Sequence, residues 1–160
     1  MSLHIYKKLC SRATSRQPSR WNSVNWALVR NKVQRLQERI AKAVRAQKWR
    51  KVRHLQWILT HSYYARLLAV WQVTTNKGKR TSGIDGIVWK TSRQKMRGVF
   101  QLRRRGYRAL PLRRIYILKK SGKLRPLSIP TIRDRAMQAL YTMAVQPAAE
   151  TLADPHSYGF

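Results

Sequence analysis

From Trp26 onward the apolar positions Trp26, Val29, Val33, Leu36, Ile40 and Ala43 recur at steps of 3, 4, 3, 4 and 3. That spacing puts them on one face of a helix. A second helix is predicted over 48–73, with Val52, Leu55, Leu59, Tyr63, Leu67 and Val70 on its apolar side. The two should form an antiparallel pair packed on a domain, because the clean pattern is too short for a free coiled coil. A third helix is predicted over 91–105, stopped by Gly106. Two β-rich runs follow, Leu112-Arg113-Arg114-Ile115-Tyr116-Ile117-Leu118-Lys119 and Leu124-Arg125-Pro126-Leu127-Ser128-Ile129, around Ser121-Gly122. They predict a hairpin in which Pro126 lies at an edge or where its missing donor is not needed. Thr131, with Asp134 three residues later, resembles a capping box opening a helix through Met137, Leu140, Tyr141, Ala144 and Val145. Pro147 should break or kink that helix. The fold class is therefore α+β and mainly helical.

Two segments lack periodicity. Residues 1–23 are polar and basic and predict a flexible arm that could order on RNA. Their Arg/Ser-rich, acid-free character also resembles an organellar transit peptide. Residues 74–86 concentrate Gly, Asn, Asp and Ser beside Lys77, Lys79 and Arg80. Such a backbone can cradle a phosphate or simply turn, and its spacing matches neither a Walker nor a dinucleotide fingerprint. The chain stops at Ser157-Tyr158-Gly159-Phe160 with no polar tail, as though cut.

Charge changes the picture most. Among 160 residues, 35 are Lys or Arg and 5 are Asp or Glu, a formal net charge of +30. The acids are Glu38, Asp85, Asp134, Glu150 and Asp154, so 1–37, 39–84 and 86–133 contain none. Such self-repulsion calls for a polyanion, nucleic acid or an acidic membrane surface, and argues against a free small-molecule enzyme. No stretch reaches the roughly 20 apolar residues that span a bilayer, and no secretory core is evident. The expected location is the bacterial cytoplasm, with an organelle as the alternative. Runs such as Arg103-Arg104-Arg105, Arg113-Arg114 and Lys119-Lys120 predict steeply salt-dependent binding. The six Trp and seven Tyr could stack on unpaired bases or fill a core. Four cations at the hairpin mouth, Lys119, Lys120, Lys123 and Arg125, would be relieved by one shared anion.

Catalytic chemistry is sparse. Two-metal phosphoryl transfer needs carboxylates holding ions about 3.5–4 Å apart, and these five acids offer no adjacent pair. Cys10 stands alone, and the four His are scattered without zinc spacing. No Ser/His/Asp or Cys/His constellation stands out. These residues bind rather than catalyse, and no metal site is expected in them.

The order of segments carries more. From about Asn31, the chain resembles the N-terminal part of group II intron-encoded reverse transcriptase/maturases. The resemblance runs through Val33-Gln34-Arg35-Leu36-Gln37-Glu38-Arg39-Ile40, His61-Ser62, Asn76-Lys77-Gly78, Gly83-Ile84-Asp85-Gly86, Leu112-Arg113-Arg114-Ile115-Tyr116-Ile117, Gly122-Lys123-Leu124-Arg125-Pro126-Leu127-Ser128-Ile129-Pro130-Thr131, Asp134-Arg135-Ala136-Met137-Gln138-Ala139-Leu140 and Ser157-Tyr158-Gly159-Phe160. One departure is Leu118, where the family pattern usually has Pro. The resemblance implies an N-terminal helical extension and basic loop over 24–86, then the fingers and an incomplete palm of a right-hand polymerase over 87–160. It implies that Lys119 and Arg125 contact the triphosphate of an incoming dNTP. Arg113 and the loop carrying Asn76, Gly78, Gly83, Asp85 and Gly86 would lie near the template–primer. Lys77, Lys79, Arg80, Arg103, Arg104, Arg105, Arg113 and Arg114 would grip RNA. The implied partners are group II intron RNA and target DNA, and no membrane. The implied activity of the full-length protein is RNA-directed DNA synthesis during intron mobility, alongside help with RNA splicing. Its two Mg2+ ions would be held by aspartates beyond Phe160, leaving these 160 residues inactive alone. The alternative is a stand-alone basic RNA-binding or RNA-chaperone protein.

Overall fold

The computed structural model describes residues 20–120 and 122–153. Most of the expected arm, Cys10, the turn residue Ser121, Asp154, His156 and the terminal Ser157-Tyr158-Gly159-Phe160 lie outside the described residues. Among the described residues five α-helices and one hairpin make the fold: α1 (Trp26–Arg45), α2 (Trp49–His61), α3 (Tyr63–Thr75), α4 (Ser92–Gln101), β1 (Arg113–Leu118), β2 (Leu124–Ile129) and α5 (Ile132–Leu152). The molecule is mostly helical with one two-stranded antiparallel sheet, in keeping with an α+β class.

The end of the expected arm is structured. Trp21–Ser23 forms a 3-10 turn, and Trp21 is buried and meets the Trp26 ring edge-on at 4.9 Å. Burying an indole outweighs the cost of ordering so short a segment.

Asn25 caps α1 by accepting the Leu28 amide at 3.0 Å. The helix ends in a Schellman turn: the Lys48 amide reaches the Ala43 carbonyl at 2.9 Å and the Gln47 amide reaches Val44 at 2.8 Å. Gln47 takes the left-handed conformation there, φ 51°, where glycine is the usual occupant.

The single helix expected over 48–73 is two helices. Ser62 is extended (φ −67°, ψ 133°). Thr60 Oγ1 donates to the Gln56 and Trp57 carbonyls at 3.1 and 3.0 Å, and His61 Nδ1 lies 2.8 Å from the Trp57 carbonyl. These side chains occupy carbonyls at the helix end and compete with its ladder. Apolar periodicity continues across the break, so the sequence pattern does not register it.

α3 is the central helix. It packs against α1, α2, α4 and α5, which accounts for its apolar character almost all round. Leu67, Ala65, Ala69 and Val70 are fully buried, among Val33 and Ile40 of α1, Leu55 and Leu59 of α2, Val99 of α4 and Leu140 of α5. Each fully buried Leu or Ile contributes about 1.5–3 kcal/mol. Of the tryptophans, Trp21 and Trp89 are buried and Trp26 and Trp71 pack on the core, while Trp49 and Trp57 remain about half exposed.

α4 opens with a capping box, Thr91 and Gln94. It stops at Gln101, four residues before the expected end. Leu102 leaves helical geometry and buries its side chain, so Arg103, Arg104 and Arg105 lie in an exposed turn that closes at Gly106 (φ 73°).

Pro147 does not end α5, which runs on to Leu152. A proline here leaves the Met143 carbonyl without its helical donor. Gln37 Nε2 of α1 donates to that oxygen at 3.0 Å, and Gln56 Nε2 of α2 donates to the neighbouring Ala144 carbonyl at 3.1 Å. The Gln37 amide thus replaces the donor that proline lacks, the Gln56 amide adds a bond beside it, and the helix continues.

Candidate nucleic-acid interface

The basic loop is a built structure rather than a slack connection. Its own amides close three turns, Lys79 to Asn76, Thr81 to Gly78 and Gly86 to Gly83, at 3.2, 3.1 and 3.4 Å. Asp85 Oδ1 accepts the Ile87 amide at 3.2 Å. Two arginines from distant elements tie it down. Arg135 of α5 donates through Nη1 to the Gly78 carbonyl at 2.9 Å and through Nη2 to the Thr81 carbonyl. Arg113 of β1 reaches Ser82 Oγ at 3.2 Å. Burial lowers the Arg135 pKa, and the nearby Asp85 charge partly offsets this.

Gly83 is required by space. A Cβ on it would stand 2.5 Å from Thr131 Cα and 2.7 Å from Thr131 N, so the loop backbone lies directly on the start of α5. Gly86, by contrast, is open but has φ 67°. Lys77, Lys79 and Arg80 are exposed on this pinned frame. Lys79 and Arg80 line a groove of about 610 Å³ together with Lys90 and Lys95, floored by Val88 and Trp89.

Thr131, Asp134 and Tyr107 hold the start of α5. Thr131 Oγ1 accepts the Asp134 amide at 3.1 Å and donates to Asp134 Oδ2 at 2.7 Å, and Tyr107 Oη donates to Oδ1. The expected cap is present, with its carboxylate also turned toward a tyrosine. Burial alone would raise the Asp134 pKa, but hydrogen bonds from Tyr107, Thr131 and the Leu110 and Thr131 amides hold it below the usual carboxylate range. Burial, then the bond to Asp134, pushes the Tyr107 phenol up to about 12.

The hairpin projects from this base. Arg113 pairs with Ile129, Ile117 with Arg125 and Tyr116 with Pro126. The Lys119 amide donates to the Lys123 carbonyl at 2.9 Å, so alternate pairs counted back from it bond and Tyr116–Pro126 falls between them. Pro126 therefore directs its missing donor away from the ladder, as its place in the sequence requires. Lys119 and Arg125 share one face of the ribbon by the two-residue alternation, and both are exposed. Tyr116, Leu118 and Leu124 are 60–68% exposed. Among the described residues of the two strands, only Ile129 at the root is buried.

The predicted RNA-binding residues fall into separate groups. Lys77, Lys79, Arg80 and Arg113 gather around the loop, and Arg114 points to the opposite face of β1 from Arg113. Arg103, Arg104 and Arg105 line a different cleft, with Thr60, His61 and Arg66. Sequence reasoning missed Arg135 and Arg66. Arg66 had a signal, being the single charged residue in YYARLLAVWQVTT. Arg135 had none, since its value lies in carbonyls more than fifty residues away.

The described carboxylates do not fit a pair of Mg2+ ions. Asp134 is committed to Tyr107 and Thr131, Asp85 accepts an amide, and Glu38 and Glu150 accept from Gln34 and Gln146. Among the described residues no three His, Cys, Asp or Glu gather to hold a metal, and none of their helices is long and apolar enough to cross a membrane.

A helical scaffold presents a strongly cationic, acid-poor surface and a basic ribbon, the electrostatic footprint that suits a polyanion. Residues 21–102, about half of the chain, match the N-terminal domain of reverse transcriptase; the chain belongs to that family. Protein YkfC of Escherichia coli (strain K12) is 40% identical over 91 residues, 54% of this chain and 24% of that protein. Group II intron-encoded protein LtrA of Lactococcus lactis subsp. cremoris is 37% identical over 89 residues, 54% of this chain and 15% of LtrA. Maturase-like protein 1 of Euglena longa is 25% identical over 142 residues, 87% of this chain and 31% of that protein. The resemblance to the N-terminal part of a reverse transcriptase/maturase holds, and the chain spans a quarter or less of the first two relatives.

Proposed function

We propose that this chain is the RNA-gripping N-terminal portion of a group II intron reverse transcriptase/maturase. It binds its intron RNA to assist splicing, and the full-length protein copies RNA into DNA during intron mobility, with Mg2+ as cofactor and target DNA and dNTP as further partners. In this reading residues 24–86 are the helical extension and 87–160 contribute fingers and the start of the palm. Lys119 and Arg125 meet the nucleotide triphosphate, and the loop of 76–86 lies by the template–primer. The observation that carries it is the basic loop, held rigid by Arg135 and Arg113 with Lys77, Lys79 and Arg80 left free for phosphate. Arg125→Ala in the full-length protein should lower cDNA synthesis at limiting dNTP while leaving intron RNA binding nearly intact. Unchanged synthesis would remove the nucleotide role, and RNA binding by a full-length protein incapable of any cDNA synthesis would favour a stand-alone RNA-binding protein.

A further inference from the structure

A second basic feature lies apart from the loop, where α2 gives way to α3. The turn after α4 brings Arg103, Arg104 and Arg105 over this junction, forming a cleft of about 240 Å³ with Thr60, His61 and Arg66. Among the described residues no carboxylate lines it. Arg66 rises from α3, and its Nε is sealed from solvent with no hydrogen-bond partner. A buried guanidinium N–H left unpaired costs free energy, and an adjacent cation compounds it: burial, then the Arg103 charge, lowers the Arg66 pKa. The described fold therefore holds several like charges together with nothing of its own to neutralise them. A tetrahedral oxyanion supplies what is lacking, since guanidinium forks pair with phosphate oxygens.

A ring column leads into the same cleft. On the solvent side of α2, His54, Trp57 and His61 follow at helical spacing. Trp57 and His61 stack with centroids 4.2 Å apart and planes 24° from parallel, and His54 lies 6.5 Å from Trp57 at 11°. His61 belongs both to this column and to the cleft wall, and Trp57 is 47% exposed. The imidazole is fixed by Nδ1 against the Trp57 carbonyl. His61 covers one face of the indole, while on the other side His54 stands 6.5 Å off, so a base with an unpaired face that displaces His54 finds the half-exposed indole as its platform.

We propose that the α2–α3 junction is a single-strand RNA subsite, in which the Arg66 cleft seats one internucleotide phosphate and Trp57 stacks the base of a neighbouring nucleotide. This rests on the reading of the chain as an RNA-binding module and adds a place and a strandedness to it. The combination separates the site from the loop, where cations stand without an exposed ring column. A duplex keeps its bases stacked on each other and offers Trp57 nothing.

The test titrates the whole chain with a short fluorescein-labelled mixed-sequence RNA strand, read by anisotropy at several salt concentrations. The variants are Arg66→Gln, Arg103→Gln, Trp57→Ala and Arg50→Gln, the last an exposed cation at the far end of α2. Arg103 and Trp57 are exposed and their variants fold regardless of how Arg66→Gln behaves. Loss of one phosphate contact should flatten the slope of log K against log salt by about 0.7 for Arg103→Gln. Trp57→Ala should weaken binding about fivefold to a hundredfold with the slope unchanged, and should leave duplex RNA binding unaltered. Arg103→Gln behaving like Arg50→Gln, or an equal Trp57→Ala loss on duplex RNA, overturns the subsite while leaving the broader function standing. Wild-type chain that ignores both RNAs overturns both. Sensitivity of anionic-vesicle binding, but not RNA binding, to Arg66 and Arg103 would assign the cleft to lipid and overturn the proposal.

Discussion

The continuation of α5 through Pro147 rests on a specific exchange of hydrogen bonds, and a double-mutant cycle measures it. Met143 is buried, and its carbonyl has only the Gln37 side-chain amide, at 3.0 Å, in place of the backbone donor proline lacks. Gln37→Met keeps the length and apolar stem of the side chain but removes the donor. The carbonyl is then left unsatisfied in a partly buried site, which costs about 1–3 kcal/mol. In a Pro147→Ala background the backbone amide restored at that position can serve Met143 through the normal ladder, and the same substitution at Gln37 should cost at most about 0.5 kcal/mol. The expected coupling is therefore about 0.5–3 kcal/mol, reaching or exceeding the roughly 0.3–0.5 kcal/mol within which unrelated sites add. Urea unfolding of the four proteins, followed by helical circular dichroism and tryptophan fluorescence, yields the cycle. Equal costs in both backgrounds would refute the exchange and leave Gln37 a surface residue near a tolerated proline.

Gly83→Ala should destabilise the chain by about 1–3 kcal/mol and speed proteolysis within 76–86, because its Cβ would meet backbone of Thr131 that cannot swing aside; wild-type cleavage kinetics would contradict this. Gln47→Gly should stabilise by a few tenths to about 1 kcal/mol, since glycine accepts the left-handed φ of 51° without the side-chain penalty; a lower urea midpoint would count against the Schellman turn. Asp134 has a folded pKa below its unfolded value, so its contribution to stability is present above about pH 4 and drains away as pH falls through the folded value. Tyr107 is raised, so its contribution is complete below about pH 10 and is lost as pH climbs through about 12. Asp134→Asn should flatten the acid limb of stability against pH, and Tyr107→Phe the alkaline limb; an unchanged acid limb would mean that Asp134 is not the group titrating.

Much of this protein could be read from local order along the chain. The 3-and-4 spacing of Trp26, Val29, Val33, Leu36, Ile40 and Ala43 marks α1, Thr131 and Asp134 mark the start of α5, and Gly122 between two β-rich runs marks the hairpin. The family likewise follows from motifs in sequence order. Such signals survive because they depend on neighbours a few residues apart. The charge of +30 points toward a polyanion partner without any fold, since electrostatic self-repulsion depends on composition.

What lay beyond the sequence arose from contacts between distant segments. The helix break at Ser62 depended on side chains capturing carbonyls within an unbroken apolar period. Pro147 stays within the helix where Gln37 and Gln56 reach across the bundle to carbonyls 106 and 88 residues away in sequence. Arg135 looked like one more surface cation and Arg66 stood out only as the single charge in an apolar helix, yet one binds a loop and the other has its Nε sealed at a cleft without a partner. A residue's sequence neighbours determine its preferred backbone and its charge; only packing decides which groups lose water, and that loss is what turns an ordinary arginine into an anchor or an anion seat.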